Sequence, residues 1–378
     1  MKHIDLIIGG DLAPTKSNYS VFEKGELESI IDEELLNCIK SADFRIFNLE
    51  VPLTDELKPI LKDGPNLFAP VSAIKGIKQL NPDVLAIANN HILDQDEQGL
   101  LRTITQLDKI GIKHLGADAN LEKAASPLIL EKDGIKVGIY ACAEYEFSIA
   151  GDKNAGANPF DPLESPDHIS ELRKQSDFVI VLHHGGKEHY RYPSPGLRKV
   201  CRKMVDRGAD LVVCQHSHCI GAFEKFKNGT IVYGQGNFLF DRNDNEFWKT
   251  GLLLKVSIED NMSVNFVPFM KRGNGVQMAD KKVAKEVMDL FMHRSEQILK
   301  PGFVESEFER FCDENGQYYM AVFAGMGKIT RNVDKLLNGI FTKLLYSGRK
   351  ACNVQNHIEC ESQRETVIGY LKKSKPGR

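Results

Sequence analysis

The chain of 378 residues has room for one large α/β domain with an appendage, or for two domains, and its 42% apolar and 27% charged residues suit a globular protein with a sizeable core. A formal net charge of −3 supplies no basic field, which argues against nucleic acid or an anionic membrane as partner. The start, Met1-Lys2-His3-Ile4-Asp5, breaks its short apolar run with an aspartate, and no segment approaches the roughly twenty apolar residues of a membrane span, so a cytoplasmic protein with neither signal peptide nor membrane anchor is expected.

Short β-branched runs recur along the chain at Ile4–Ile8, Phe44–Phe47, Val84–Ala88, Val137–Ala141, Phe178–Leu182, Leu211–Cys214 and Thr230–Tyr233, each ending in polar or glycine residues. Continuous apolar strands of this kind are buried on both faces. Helical patterns lie between them. Asp96 to Gly111 puts Leu100, Ile104 and Leu107 on one face; Leu197, Val200, Cys201, Met204 and Val205 do the same after Ser194-Pro195, with Gly208 as the stop. Asp133-Gly134 marks a hairpin, and Leu252–Ile258 with Val264–Phe269 marks another. Eight cysteines, none in a C-x-x-C pair and several inside apolar runs such as Leu211-Val212-Val213-Cys214, read as reduced thiols packed as small apolar side chains.

Past Lys271-Arg272-Gly273-Asn274-Gly275, which reads as a linker, the pattern turns helical. Val283, Val287, Leu290 and Phe291 recur at helical spacing, as do Ile329, Val333, Leu336, Leu337, Ile340 and Leu344. Asn356 to Lys373 reads as a polar helix running into a basic tail, Lys372-Lys373-Ser374-Lys375. The expected division is therefore a domain over 1–272 and a helical appendage over 273–378 that covers the core or mediates self-association.

The distinctive polar clusters each follow a predicted strand, where α/β proteins build their sites. They are Gly9-Gly10-Asp11, Asn48-Leu49-Glu50, Asn89-Asn90-His91, His183-His184-Gly185-Gly186, Gln215-His216-Ser217-His218 and Gly234-Gln235-Gly236-Asn237. One at a time they have plain accounts: Asp11 caps a turn, Asn89-Asn90 takes a left-handed turn, and His183-His184 is one packed and one solvent-facing imidazole. His216 and His218, two apart beside a strand, are the pair best placed to converge on a metal. Together, five of the eleven histidines fall in three strand-end clusters alongside carboxylates and an amide. That donor mixture suits Mn²⁺, Fe²⁺ or Zn²⁺.

The order Asp, Asn-x-Glu, Asn-Asn-His, His-x-Gly, His-x-His, Gly-Asn-Phe resembles the CapA (poly-γ-glutamate capsule synthesis) group of calcineurin-like metallophosphoesterases, over residues 4 to 270. Ala88-Asn89-Asn90-His91-Ile92-Leu93-Asp94 and Tyr233-Gly234-Gln235-Gly236-Asn237-Phe238-Leu239-Phe240-Asp241 carry the resemblance most closely. It implies a metallophosphoesterase-like two-sheet α/β sandwich flanked by helices, holding one or two divalent ions. Asp11, Asn90, His183, His216 and His218 become ligands, Glu50 the bridging carboxylate, and His91 the free imidazole that protonates a leaving group. Asn48 and Asp94 stand behind these, and Asn237 stands behind them or at the substrate. From their place after the fourth cluster, His184, Glu188, His189 and Tyr190 line either the substrate mouth or an exposed polar loop, and Lys187, Arg191 and Arg198 are candidates to meet an anionic group. Two positions depart from the pattern: Ala13 stands where Asp-x-His has its histidine, and Asn48-Leu49-Glu50 replaces Gly-Asp. The implied function is metal-dependent hydrolysis of a phosphate ester or related anionic bond in capsule or polymer metabolism, on a small anionic or peptide-like substrate. The alternatives are epimerase-like acid/base chemistry at a peptide α-carbon and a non-catalytic polymer-assembly factor.

Overall fold

The fold was analysed in a computed structural model that describes residues 2–241 and 245–373. The apolar runs become two sheets. In the seven-stranded sheet, Ile4–Leu12, Phe44–Leu49, Val84–Ala86 and Lys113–Leu115 run parallel, and an antiparallel meander, Thr250–Ile258, Met262–Arg272 and Gly275–Met278, extends the sheet from Ile4–Leu12. In the six-stranded sheet, Ile135–Ala143, Phe178–His184, Leu211–Gln215 and Gly229–Val232 are parallel, and each edge is finished by an antiparallel hairpin partner, Leu128–Lys132 or Phe223–Phe226.

Parity along the strands explains the layers. Ile180 and Leu182 join Val137, Ile139 and Val213 in a core shared with Leu6, Ile8 and Ile46 of the other sheet. Val179 and Val181 point the opposite way, into a second cluster with Leu172, Leu197, Cys201 and Met204 of the helices Glu164–Gln175 and Pro195–Asp206. Ser194 caps the latter helix by accepting from the Leu197 N–H at 3.1 Å. The α/β two-sheet sandwich flanked by helices is thus as expected, and a run of helices follows it.

Lys271–Gly275, read as a linker, is instead the tip of a hairpin. Arg272 pairs with Gly275, and Gly273 takes φ +56°, a left-handed value that suits a two-residue turn. The first compact unit runs to Val304 and includes the helix Lys281–Gln297, so the division drawn at 272 falls inside it. The second unit, 305–378, continues the helix Phe303–Phe323 with Lys328–Leu336, Ile340–Leu345, Arg349–Glu359 and Glu361–Lys373. The polar helix expected over Asn356–Lys373 is two helices, broken at Cys360; the end of the basic tail lies outside the described residues. No helix among the described residues is long and apolar enough to cross a membrane.

Candidate metal centre

The strand ends of both sheets meet at one end of the sandwich. Ile8 pairs with Ile46 but Asp11 pairs with Asn48, so the Gly9-Gly10 step is a β-bulge. Such a bulge re-aims the side chain that follows it. Glycine is required there: a Cβ on Gly9 would lie 2.3 Å from the Phe47 ring, and one on Gly10 would lie 2.0 Å from the Gly236 carbonyl. That close approach brings Asn237 opposite Asp11, with the Phe238 N–H donating to the Asp11 carbonyl at 2.9 Å. His216 and His218 follow the strand Leu211–Gln215 with φ of +81° and +54°. Left-handed backbone at two residues without glycine is costly, and such strain collects at functional sites.

Glu50 occupies the middle of the cluster. One ligand atom each from Glu50, His184 and His216 lie within 4.8 Å of one another, as do those of Asp11, Glu50 and His218. Glu50 belongs to both sets, and both its carboxylate oxygens are buried without a hydrogen-bond partner among the described residues. A bare buried carboxylate is unfavourable unless a cation completes it. His184 Nε2 and His216 Nδ1 face each other at 3.2 Å, and the Asn90 Oδ1 lies 3.1 Å from His184 Nε2. The residues present therefore fit one or two divalent ions.

The surroundings set the charges. Burial holds His184 down to about 4 and His216 well below the ordinary imidazole value, leaving both neutral and ready to ligate. Glu50 is driven well above the carboxylate range by burial and by Asp11. Burial works against a charge on His218, but Glu50 and Asp11 override it and raise that imidazole to about 9. Asp11 is held low despite its burial by His218, His184 and the Asn48 amide, which donates to it at 2.8 Å. A raised pKa means that the ion-free centre keeps its proton at neutral pH, and a ligating imidazole must lose it. Metal uptake at pH 7 is therefore expected to release protons, with affinity climbing as pH rises towards about 9 and levelling above it. Calorimetry in buffers of different ionisation enthalpy checks this; proton-neutral uptake contradicts it.

Of the two adjacent histidines, the structure brings His184 into the centre and leaves His183 outside. His183 shares the outward-facing row of Cys142 and Cys214, with its Nδ1 3.5 Å from Cys142 Sγ and its ring edge-on to Phe160. The candidate donor atoms that come together include His184 and not His183, to which the resemblance gave the ligand role. Replacing His184 with Ala should sharply lower metal content by removing a donor from the Glu50, His184 and His216 set. His183→Ala should keep the metal and lower unfolding stability by about 1–3 kcal/mol through lost packing, read by elemental analysis and thermal melts.

His91 stands beside the donor sets without belonging to them. Its Nδ1 is 2.6 Å from Asp94 Oδ2, and burial lowers its pKa. Lys62, from the irregular stretch after Glu50, ion-pairs with Asp94 and reaches within 3.2 Å of His91 Nδ1 with 2% of its side chain exposed. Asn89 donates to Asn48 Oδ1 and to the Leu49 carbonyl, and Asn237 Oδ1 meets His218 Nδ1 at 2.8 Å. Glu188 is exposed on its loop, close enough for its charge to act on Glu50 and His218. Arg198 lies away from the centre, 3.4 Å from Glu224, which also pairs with Arg202. Arg191 lies over the Phe247 ring, and His189 accepts from the Trp248 indole at 3.0 Å.

Two residues went unread in the sequence. Glu146 accepts from Asn90 Nδ2 at 3.1 Å and lies 3.7 Å from His216 Nε2. It follows the strand Ile135–Ala143, so the strand-end rule that found the other clusters also covers it. Lys62 carries no comparable signal, because no periodicity surrounds it.

A cluster of buried carboxylates, imidazoles and an amide at the carboxyl ends of two α/β sheets defines a candidate divalent-metal centre. Residues 5–242 match the bacterial capsule synthesis protein PGA_cap family, and the chain belongs to that family. It is 30% identical over 237 residues to the PGA biosynthesis protein CapA of Bacillus subtilis, a match covering 62% of each chain. It is 29% identical over 235 residues to the capsule biosynthesis protein CapA of Bacillus anthracis, covering 59% of this chain and 56% of that one. The chain thus spans about three fifths of the length of these relatives. Among solved structures, a phosphatase of Mycoplasma pneumoniae aligns with 14% identity and a TM-score of 0.46, over 72% of this chain and 95% of the other. A 5'-nucleotidase precursor from Thermus thermophilus aligns with 15% identity and a TM-score of 0.42, over 77% of this chain and 59% of the other.

Proposed function

We propose that the protein is a metal-dependent hydrolase of a phosphate ester or related anionic bond, acting in the metabolism of a capsule polymer. The observation that carries this reading is the bare Glu50 carboxylate shared by two donor sets. Asp11, Glu50 and His218 would hold one ion, and Glu50, His184 and His216, with the Asn90 amide oxygen, a second; Mn²⁺, Fe²⁺ and Zn²⁺ suit such donors. Bound there, a divalent ion supplies Lewis acidity and lowers the pKa of coordinated water towards neutrality.

The protein's own residues do the rest. With its Nδ1–H donated to Asp94, His91 would act as the imidazolium, a form that burial opposes and Asp94 favours, and pass its second proton from Nε2 to a leaving oxygen. Lys62 neutralises Asp94 in a buried setting and fixes the pair. Asn48 holds Asp11 in place, and Glu146, by accepting from Asn90 Nδ2, turns the amide oxygen of Asn90 towards His184. The capsule role named for the Bacillus relatives supports the polymer context.

The test is a panel of phosphomonoesters and phosphodiesters offered to protein reloaded with each candidate metal. Turnover that depends on metal and on His91 supports the reading. Solvent deuterium entering a peptide α-carbon, with no ester cleaved, would replace hydrolysis with proton-transfer chemistry.

A further inference from the structure

We propose that residues 328–350, in the helical C-terminal unit, form a peripheral docking surface for an anionic lipid bilayer. The proposal is independent of the chemistry at the metal centre.

The helix Lys328–Leu336 carries Ile329, Val333 and Leu336 at the spacing that lines one face, and the next helix, Ile340–Leu345, adds Ile340, Leu344 and Leu345. All six are exposed, with Leu336 at 83%, Ile329 at 82% and Leu344 at 61%. The same stretch holds six basic residues, Lys328, Arg331, Lys335, Lys343, Arg349 and Lys350, and a single acid, Asp334. Asp334 is buried: it accepts from the Phe341 N–H at 2.8 Å, from the Thr342 N–H at 3.3 Å and from the Thr342 hydroxyl. Those bonds brace the turn between the two helices, where Asn338 and Gly339 take φ of +54° and +77°. The segment therefore offers solvent a set of apolar and cationic groups with its one negative charge turned inward.

That pairing selects the occupant. A bilayer interface takes apolar side chains at its acyl boundary and cations at its headgroups, and an anionic leaflet rewards both. A second copy packed face to face would cover the apolar groups but set like charges against like. Neither helix is long enough to span a membrane, so the contact lies in the plane of the surface. The chain's overall charge of −3 conceals this because its acids lie elsewhere.

Flotation of the full chain with vesicles of equimolar phosphatidylglycerol and phosphatidylcholine tests the idea, with pure phosphatidylcholine as the control. Binding is expected on the anionic vesicles alone, and it should weaken as salt rises. The double variant Ile329→Glu/Leu336→Glu should bind about tenfold more weakly or worse, as should Lys328→Glu/Lys335→Glu/Lys343→Glu, with circular dichroism unchanged because these side chains are exposed. Absence of flotation, or flotation indifferent to both variants, overturns the proposal. So does a concentration-dependent dimer in sedimentation equilibrium that Leu336→Glu abolishes in a protein that ignores vesicles; the face would then belong to a second copy.

Discussion

Replacing Glu50 with glutamine is expected to weaken divalent-metal binding by roughly a hundredfold or more while making the ion-free protein more stable. The two effects share one cause. Glu50 is fully buried, its oxygens have no hydrogen-bond partner among the described residues, and Asp11 stands beside it. Without an ion, the fold must either bury a charge offset only by the His218 imidazolium or take up a proton to cancel it. Glutamine keeps the shape and removes the charge, so the ion-free fold should gain on the order of 1 kcal/mol. The same change deletes the one carboxylate common to both donor sets. Metal titration followed by chemical denaturation of the stripped protein reads both signs. A variant that loses metal and stability together would show Glu50 to be a structural group.

His91→Asn should leave metal content close to that of the unaltered protein and lower turnover by roughly a hundredfold, the scale of losing a general acid. Asparagine keeps a polar group of similar reach but cannot give up a proton near neutrality. His91 lies outside both donor sets, and its Nδ1 is engaged by Asp94, so nothing about metal retention should depend on it. His216→Ala is the contrast, because it removes a donor nitrogen and should depress metal content and activity together. A nitrophenolate leaving group needs no proton and should restore much of the His91→Asn loss. Loss of metal from His91→Asn equal to that from His216→Ala would make His91 a ligand and end the assignment.

Much of the architecture was legible because the strands are continuous apolar runs closed by polar clusters. Asp11, Glu50, Asn90, His216 and His218 were each located by lying just past such a run. The choice between His183 and His184 was not legible for the same reason. A strand buried on both faces shows no alternation, so Val179-Ile180-Val181-Leu182 gives no sign of which parity faces the other sheet. The hairpin at Arg272–Gly275 was hidden by local composition: Gly-Asn flanked by charges reads as a linker until the neighbouring strand is seen. Lys62 is placed by its tertiary contacts with His91 and Asp94 within a stretch that has no period of its own.

The two donor sets draw on both halves of the sandwich. Asp11 and Glu50 come from the seven-stranded sheet, while His184, His216 and His218 come from the six-stranded one. An ion held between them would be a staple across an interface that apolar packing and hydrogen bonds, such as that from Gln215 Nε2 to the Gly9 carbonyl, also hold closed. Its first and last ligands are some two hundred residues apart in the chain, so a growing polypeptide has two of its five donors long before the rest emerge. An ion that needs donors from both sheets would therefore load only once the sandwich has closed, and would then lock it.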